Sequence, residues 1–285
     1  MRICVIGGAN VDITATSAHA FQIGDSNPGA VQVSWGGVGR NIAHNLALLG
    51  DQVELVTIFG GGLFGPVIAA ACRELGICID HSEIAREGTN SFFVSINNAD
   101  GELVGGVADM NATEGMTPAW LSERLEAING ADVVVADANS SAEALAYLID
   151  HCKRPLYLDA VSVAKAHRIV EAVKRSRRKA FFALKGNALE HQVLSEMKGA
   201  SIQRIYVSVG SEGLRVEEDG ERYAFPALPC LVKSVTGGGD ALLAGIVHAG
   251  PDASVEETAR WGLACARCAV ESPDAVNEEI QKLII

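Results

Sequence analysis

Positive charge is scarce in this sequence, which has 23 lysines and arginines against 35 aspartates and glutamates. The resulting formal net charge of -12 would repel a polyanion. The only run of basic residues, KRSRRK at 174–179, is short and is typical of the end of a helix. We therefore predict that the protein has no nucleic-acid partner.

Long apolar runs are absent too. No stretch approaches the roughly 20 apolar residues that span a bilayer, and residues 1–8 lead into a glycine turn without a signal-peptide cleavage pattern. The seven cysteines are odd in number and scattered through apolar segments, which is typical of free thiols in a reducing compartment. We predict a cytoplasmic protein without membrane contact, in which Cys265 and Cys268 lie in an apolar helix and do not hold zinc.

Proline is sparse, at 8 residues, whereas hydrophobic residues make up 48% of the chain, a composition typical of a globular enzyme. The length of 285 residues suits one α/β domain with a small appendage, so we predict a single domain over residues 1–285. Strand and helix patterns alternate, which predicts a mostly parallel sheet flanked by helices. The predicted elements are strands at 2–7, 132–136, 156–159, 180–184 and 204–209, helices at 118–128, 142–151 and 165–175, a hairpin around 218–220, and helices from Ala188, Gly239 and Ser254.

Two segments, at about 12–35 and 88–110, interrupt this alternation with short, exposed strand patterns. In the second segment, Asp100 and Gly101 form a hairpin turn signal between two apolar stretches. We predict that the two segments pair into a small β-sheet lid. Because exposed strands tend to seek a partner edge, we also predict a homodimer formed through this lid.

Three glycines and an aspartate, Gly237, Gly238, Gly239 and Asp240, directly precede an apolar helix pattern. Glycines let successive amides converge at a helix N-terminus, where the partial positive charge favours an anion such as a transferring phosphoryl group. A carboxylate beside these amides can accept the proton of an attacking hydroxyl, so Asp240 is the predicted catalytic base. The alternative is a tight turn in which Asp240 merely caps the helix.

A second glycine segment, at 35–50, also leads into a helix pattern. Gly36 and Gly37 would let a substrate approach the backbone, and Asn41 offers a donor and acceptors suited to sugar hydroxyls. Asp12, after the first strand, could accept from two adjacent hydroxyls, whereas Arg40 would steady a phosphate or be solvated. A dinucleotide-binding turn is disfavoured because it should follow the first strand directly.

A third segment, Lys185-Gly186-Asn187-Ala188-Leu189-Glu190, ends a strand and opens a helix. Asn187 and Glu190 lie one turn apart and could hold water molecules on Mg²⁺ near the phosphates. The alternative is a capping box, in which the same two residues close the helix N-terminus without a metal.

Taken together and in this order, the three segments resemble the ribokinase family, also called the PfkB carbohydrate kinases, over essentially the whole chain. The resemblance implies a ribokinase-like three-layer α/β fold with a lid, ATP and Mg²⁺ as cofactors, and sugar contacts at Gly36, Gly37 and Asn41. It assigns the anion hole to Gly237, Gly238 and Gly239. It also implies a nucleotide site that includes Lys185, Asn187, Ser208, Gly210, Gly213 and Thr236, and a possible K⁺ site at the carbonyls of Ser234, Thr236 and residues 267–273.

Within this family the sequence most resembles members that phosphorylate the C-glycoside nucleoside pseudouridine. Val38 stands where ribokinases usually carry lysine, which disfavours free ribose as the substrate. Other nucleosides or sugars, such as adenosine, inosine or ribose, remain alternatives, as does a non-catalytic ribosyl-binding regulator. The candidates for contacts with the nucleoside are Asn10, Asp12, Ser26, Asn27, Arg40, Thr89, Ser91, Asp109 and Asn111.

Overall fold

The computed structural model describes residues 1–283. Its strands are β1 (Arg2–Ile6), β2 (Asn10–Ser17), β3 (Gly29–Gly36), β4 (Gln52–Val56), β5 (Ile58–Phe59), β6 (Glu83–Ile84), β7 (Phe92–Asn97), β8 (Leu103–Asp109), β9 (Val133–Asp137), β10 (Leu156–Asp159), β11 (Ala180–Asn187), β12 (Ser201–Ser208), β13 (Leu214–Glu218) and β14 (Glu221–Phe225). Its α-helices are α1 (Val38–Leu48), α2 (Phe64–Glu74), α3 (Pro118–Ser122), α4 (Leu125–Gly130), α5 (Ala142–His151), α6 (Val163–Arg175), α7 (Ala188–Leu194), α8 (Gly238–Ala249) and α9 (Val255–Val270).

The main sheet has eight strands in the order β14-β13-β12-β11-β10-β9-β1-β4. The strands from β12 to β4 are parallel, and β13 and β14 add an antiparallel hairpin at one edge. All five residues of β9 are buried, as expected for a parallel strand covered on both faces. The predicted α/β class with a mostly parallel sheet is confirmed.

Helices cover both faces of this sheet. Alternate residues of β1 enter two different cores: Val5 packs into the core with α1, α2, α8 and α9, whereas Ile6 packs into the core with α5 and α6. This division follows from the two-residue period of a strand, which sends successive side chains to opposite faces. The molecule therefore has three layers, with the sheet in the middle.

A second sheet lies apart from the main one and has the order β3-β2-β7-β8. Its two central strands, β2 and β7, pair in parallel, and each pairs antiparallel with an edge strand. The strands come from the two segments in which we predicted a lid.

The helix predicted at 118–128 is wrong as a single element, because the structure has two short helices there, α3 and α4. Arg124 interrupts them: its guanidinium donates to the carbonyls of Trp120 and His81, each at 2.8 Å, and lies over the Trp120 ring. The backbone amide of Arg124 bonds the Leu121 carbonyl instead of that of Trp120. The side chain thus occupies the acceptor that a continuous helix would use.

Among residues 1–283, no helix combines the length and the apolar character that crossing a bilayer requires. All seven cysteines, which fall within this range, are free thiols. Cys265 and Cys268 are buried in α9, against Ala241 of α8.

Candidate active site

The candidate active site lies at the carboxyl edge of the main sheet. β9, β10 and β11 end there with Asp137, Asp159 and Asn187. The N-termini of α1 and α8 lie at the same edge, since the amide of Asn41 in α1 reaches Asp240 in α8. Open parallel sheets bind their ligands at this edge, because the loops that follow the strands converge there.

The glycine segment before α8 forms a sharp turn. Gly237 caps the helix with φ of 79°, and a Cβ atom at this position would overlap the Ala275 carbonyl. The amides of Gly239 and Asp240 donate to no acceptor within residues 1–283. Free amides at a helix N-terminus suit an anion, and the required backbone conformation favours glycine at position 237.

Asp240 is the third residue of α8 and does not cap it, because the cap residue is Gly237 and no side chain bonds the first-turn amides. Its Oδ2 accepts a hydrogen bond of 2.9 Å from the amide group of Asn41, a residue 199 positions away. Burial raises the pKa of Asp240 to about 7, an effect that Lys185 opposes and Asp159 reinforces. A carboxylate with this pKa is matched to accept a proton near neutral pH.

Arg40 is buried and contacts the carboxylate of Asp240 only through Asn41. Its Nη1 donates to the Trp35 carbonyl at 2.7 Å and to Oδ1 of Asn41 at 3.0 Å. Because Oδ1 accepts from Arg40, the Nδ2 of Asn41 is turned toward Asp240. The expectation of a solvated Arg40 side chain is wrong, because the side chain is buried and orients Asn41. The phosphate contact stays a prediction.

Asp12 lies over the glycines that precede α1. Its Oδ1 accepts from Nδ2 of Asn10 at 2.5 Å, and its carboxylate fills the space that a Cβ atom at Gly36 would need. Gly37 has φ of 98° and packs against the backbone of Gly8. Burial raises the pKa of Asp12. The structure thus brings together the predicted sugar-binding residues of two chain segments.

Lys185 lies beneath the first turn of α8, where burial leaves it 6% exposed. Its Nζ donates to Oδ2 of Asp159 at 2.9 Å and lies 2.8 Å from the place of a Cβ atom on Gly239. Burial opposes the charge of Lys185, but Asp159 and Asp240 raise its pKa overall. The ammonium group lies near the carboxylates of Asp159 and Asp240, and its contact with a nucleotide stays a prediction.

Asn187 and Glu190 form the capping box given above as the alternative to a metal site. The backbone and side-chain amides of Asn187 donate to the two Glu190 carboxylate oxygens at 2.8 and 2.7 Å. Burial raises the pKa of Glu190. Within residues 1–283, no group of three or more His, Cys, Asp or Glu side chains could hold a metal directly. Each Glu190 oxygen retains a lone pair, which could accept from a water molecule bound to a metal ion.

The residues predicted to contact the nucleobase do not all lie close together. Ser91 is buried near the start of β7, and its hydroxyl has no hydrogen-bond partner in the described part of the chain. Asp109, at the end of β8, accepts from the Asn111 amide at 3.3 Å. Ser26 is exposed and Asn27 is half-buried in the loop between β2 and β3, at the opposite end of these strands from Asp12.

Asn27 uses its side chain within its own loop, where its oxygen accepts from Gln22 and its amide donates to Gln22 and Asp25. Seven residues of β2 separate this loop from Asn10 in pairing register, which corresponds to roughly 20 Å. In this structure, Ser26 and Asn27 therefore lie far from the residues that surround Asp240.

The nucleotide-site candidates occupy the same edge of the sheet. Ser208 pairs with Asn187 in the β11–β12 register, and Gly210 and Gly213 lie in the turn that follows β12. The possible K⁺ segments contact each other, since the Ser234 amide donates to the Val270 carbonyl at 3.3 Å. The Ser234 hydroxyl in turn accepts from the Thr236 amide at 3.1 Å.

Sequence reasoning missed the polar cluster after β9. Asp137 accepts from the Gly8 amide at 3.0 Å and from the Asn139 amide at 2.9 Å. Lys165 donates to Oδ1 of Asn139 and has no carboxylate partner within residues 1–283. The available signal was position, because Asp137 ends a parallel strand at the edge where the site lies.

Comparison with known proteins identifies the family to which this chain belongs. Residues 1–282 match the family described as pfkB family carbohydrate kinase. The chain is similar to the pseudouridine kinase of Escherichia coli strain K12, at 31% identity over 98% of this chain and 93% of that protein. It is also similar to the pseudouridine kinase of Arabidopsis thaliana, at 24% identity over 99% of this chain and 93% of that protein.

The structure of Arabidopsis thaliana ribokinase complexed with ribose and ATP has the same fold, with a TM-score of 0.82, 20% identity, and coverage of 98% of this chain and 97% of that chain. The chain belongs to the pfkB family of carbohydrate kinases. It is a sugar or nucleoside kinase with the ribokinase-like fold, and the family resemblance predicted from the three glycine and asparagine segments is confirmed.

Proposed function

We propose that the protein transfers the γ-phosphoryl group of ATP to the 5′-hydroxyl of pseudouridine, with Asp240 as the general base. The observation that carries this proposal is the position of the Asp240 carboxylate. It lies in the first turn of α8, beside the amides of Gly239 and Asp240, which have no acceptor in the described part of the chain, and Asn41 holds it in place. A hydroxyl group placed there meets a proton acceptor and an anion-binding site together.

In this mechanism Asp12, Asn10 and the backbone at Gly36 and Gly37 hold the ribose hydroxyls. Asp240 accepts the proton of the 5′-hydroxyl as its oxygen attacks the γ-phosphorus and the bond to the β-phosphate oxygen breaks, releasing ADP. The amides of the glycine turn stabilise the negative charge on the transferred group. The ATP phosphates lie along the edge that carries Asn187, Ser208, Gly210, Gly213 and Thr236.

We assign water-mediated Mg²⁺ binding to Asn187 and Glu190, where the ion would neutralise phosphate charge. The carbonyls of Ser234 and Thr236, with those of residues 267–273, are the candidate K⁺ ligands. We also propose that residues 12–35 and 88–110 act as a lid on a single catalytic domain, 1–285, and exclude water from the reaction. The cytoplasm, which supplies ATP and keeps thiols reduced, suits this reaction and the free cysteines.

The choice of pseudouridine rests on the two similar pseudouridine kinases and on Val38, which offers no charged donor to a free sugar. Ser91 supports a polar substrate beside the second sheet, because its buried hydroxyl lacks a partner among the residues that the structure describes. The alternative is another nucleoside or sugar, such as adenosine, inosine or ribose, handled by the same base.

A substrate panel tests this choice. With ATP and Mg²⁺ in a coupled assay of ADP release, we expect kcat/KM for pseudouridine to exceed that for uridine, adenosine, inosine and ribose by about 100-fold or more. The expected margin reflects the cost of leaving buried polar groups unpaired when a base with a different polar edge is bound. A higher kcat/KM for any other member of the panel would assign that compound as the substrate and leave the role of Asp240 intact.

We further propose a homodimer formed through the second sheet. Val33 of β3 and Val107 of β8 lie in one cross-strand row with Ile13 and Val94, and these two edge valines are 51% and 69% exposed. Val31 of β3 is 68% exposed on the same face. An apolar sheet face of this kind is favourably covered by a second copy of the same face.

Light scattering with size exclusion tests the dimer. The unmodified protein should have about twice the monomer mass, and Val33→Lys/Val107→Lys should be a monomer because charge on both edge strands opposes burial of the face. Leu189→Lys, at a residue 62% exposed on α7, is the matched control and should remain a dimer. A monomeric unmodified protein at micromolar concentration would rule this interface out.

A further inference from the structure

A cavity of about 490 Å³ opens at the edge of the main sheet opposite the candidate active site, where β10, β11 and β12 begin. Lys153, Arg154 and Arg178 line it, and a neighbouring cavity of about 460 Å³ is lined by Arg177 and Arg178. We call the first of these the Arg154–Arg178 cavity. Its volume lies in the range of small-molecule sites in proteins.

The cations of this cavity form no ion pair in the described part of the chain, although the carboxylate of Asp219 also lines the cavity. None of Lys153, Arg154, Arg177 and Arg178 has a carboxylate oxygen within 4 Å among residues 1–283, although the chain carries a net charge of -12. Asp150, which lines the neighbouring cavity, is engaged by the backbone amides of Arg177 and Arg178. Lys153, Arg154 and Arg178 outnumber Asp219 in the lining, so this concave part of an acidic protein carries an excess of positive charge.

Backbone contacts hold the two arginines in place. Nε of Arg154 donates to the Asn129 carbonyl at 2.8 Å, and Nη1 of Arg178 donates to the Cys152 carbonyl at 2.7 Å. Each guanidinium has five N–H donors, so each retains donors for a ligand. An arginine whose geometry is fixed in advance loses less side-chain entropy on binding an anion than a freely rotating one does.

The rest of the lining combines polar side chains with apolar ones that are largely buried. Ile149, Leu156 and Phe181 are buried residues of this wall, and the exposed side chains of Ser201 and Gln203 add polar groups to it. A cationic rim beside polar side chains fits a ligand that carries both a phosphate and hydroxyl or amide groups. We propose that the Arg154–Arg178 cavity binds an organic phosphate of the nucleoside monophosphate class.

This site is separate from the candidate active site. β10 runs from Leu156 in the cavity to Asp159, which lies near Asp240, and β11 runs from Ala180 in the cavity to Lys185 and Asn187. At about 3.3 Å per residue, the five steps from Ala180 to Lys185 span roughly 16 Å. A ligand in the cavity therefore cannot contact the residues around Asp240, and it binds whether or not the proposed substrate is correct.

Calorimetric titration with adenosine 5′-monophosphate tests the proposal. The unmodified protein should bind it at a site that Arg154→Gln/Arg178→Gln lacks or binds at least tenfold more weakly, because the charge-assisted bonds to the phosphate are lost. Adenosine should bind this site at least tenfold more weakly than the monophosphate. Photolabelling with 8-azidoadenosine 5′-monophosphate, followed by peptide mapping, should mark residues 149–156 or 178–182.

Arg73→Gln/Arg260→Gln is the matched control, since both arginines are exposed and neither has a carboxylate partner in the described chain. It should bind the monophosphate as the unmodified protein does. Lys153→Gln, whose ammonium makes no hydrogen bond within residues 1–283, should weaken binding even if the double variant folds poorly. Unchanged affinity and stoichiometry in Arg154→Gln/Arg178→Gln, or equal binding of adenosine and its monophosphate, would overturn the proposal.

Discussion

Asp240→Asn is expected to lower kcat by about 10²–10⁴-fold while the affinity for ATP stays the same or increases. The amide keeps the size of the carboxyl group and can still accept from Asn41, but it cannot take the proton of an attacking hydroxyl. Removing a negative charge beside the anion hole also removes repulsion of the phosphates. Steady-state kinetics give kcat, and calorimetric titration with ATP gives the affinity.

Asp252→Asn is the matched control for this experiment. Asp252 is exposed in the turn after α8, so the same change of charge there should leave kcat within twofold. If Asp240→Asn retained kcat within threefold of the unmodified enzyme, Asp240 would not be the base. The control separates loss of the base from a general effect of charge on this acidic protein.

The pH dependence gives a second measure of the same residue. Because burial raises the pKa of Asp240 to about 7, kcat/KM of the unmodified enzyme should fall tenfold per pH unit below that value. A raised pKa in the folded state means that this group's contribution to stability is present at low pH. That contribution is lost as the pH rises from about 4, the unfolded value, through 7.

The stability of Asp240→Asn follows from that sign. At pH 8 the unmodified protein carries a carboxylate whose charge the folded state disfavours, and the variant does not. Three pKa units would correspond to about 4 kcal/mol, but the side chain still faces the cleft and solvent screens it, so we expect the variant to be about 1 kcal/mol more stable in urea unfolding at pH 8. At pH 4 the difference should vanish.

The sequence was sufficient for the parts of the fold that depend on local pattern. Continuous apolar runs such as β9 identified the parallel strands, and the glycines before α8 identified a helix start at a ligand site. The break at Arg124 could not be predicted in the same way, because it depends on the His81 carbonyl, 43 residues away along the chain.

The chemistry of the site was harder to predict for a related reason. Asp240, Asn41 and Gly37 were found from the sequence, but the roles of their neighbours depend on contacts between distant segments. Arg40 orients Asn41 because α1 places Arg40 against the end of β3 and Asn41 against Asp240 of α8. Asn27 was predicted to contact the nucleobase, whereas the β2–β3 pairing places it at the end of the hairpin that is far from Asp240. Periodicity carries no information about either contact.

Lys185→Met is expected to cost about 3–5 kcal/mol of unfolding free energy, because it leaves the carboxylate of Asp159 buried without its cation. Methionine retains an apolar stem of similar length, so the loss reflects charge more than packing. Urea unfolding at pH 7 measures it. Lys198→Met, at an exposed lysine without an ion pair in the described chain, is the control and should change stability by less than about 0.5 kcal/mol.

The same variant should change the pH profile, which a purely structural role for Lys185 would not do. The pKa of Asp240 is raised by burial and by the carboxylates of Asp159 and Asp137, and it is lowered by the cation Lys185. Arg40 also lies within electrostatic range. Loss of Lys185 removes the largest opposing influence, so the pKa of Asp240 should rise, and the acid limb of kcat/KM should move upward by about one pH unit or more. An unmoved limb would show that Lys185 does not set the proton affinity of the base.

Asp159→Asn/Lys185→Met distinguishes the two effects. Removing both charges leaves no unpaired ion in the core, so most of the lost stability should return. The acid limb should lie between those of the unmodified enzyme and Lys185→Met, because Lys185 lowers the pKa of Asp240 more than Asp159 raises it. Recovery of stability without full recovery of the pH profile would assign Lys185 a positioning and electrostatic role at the base, in addition to its contribution to the core.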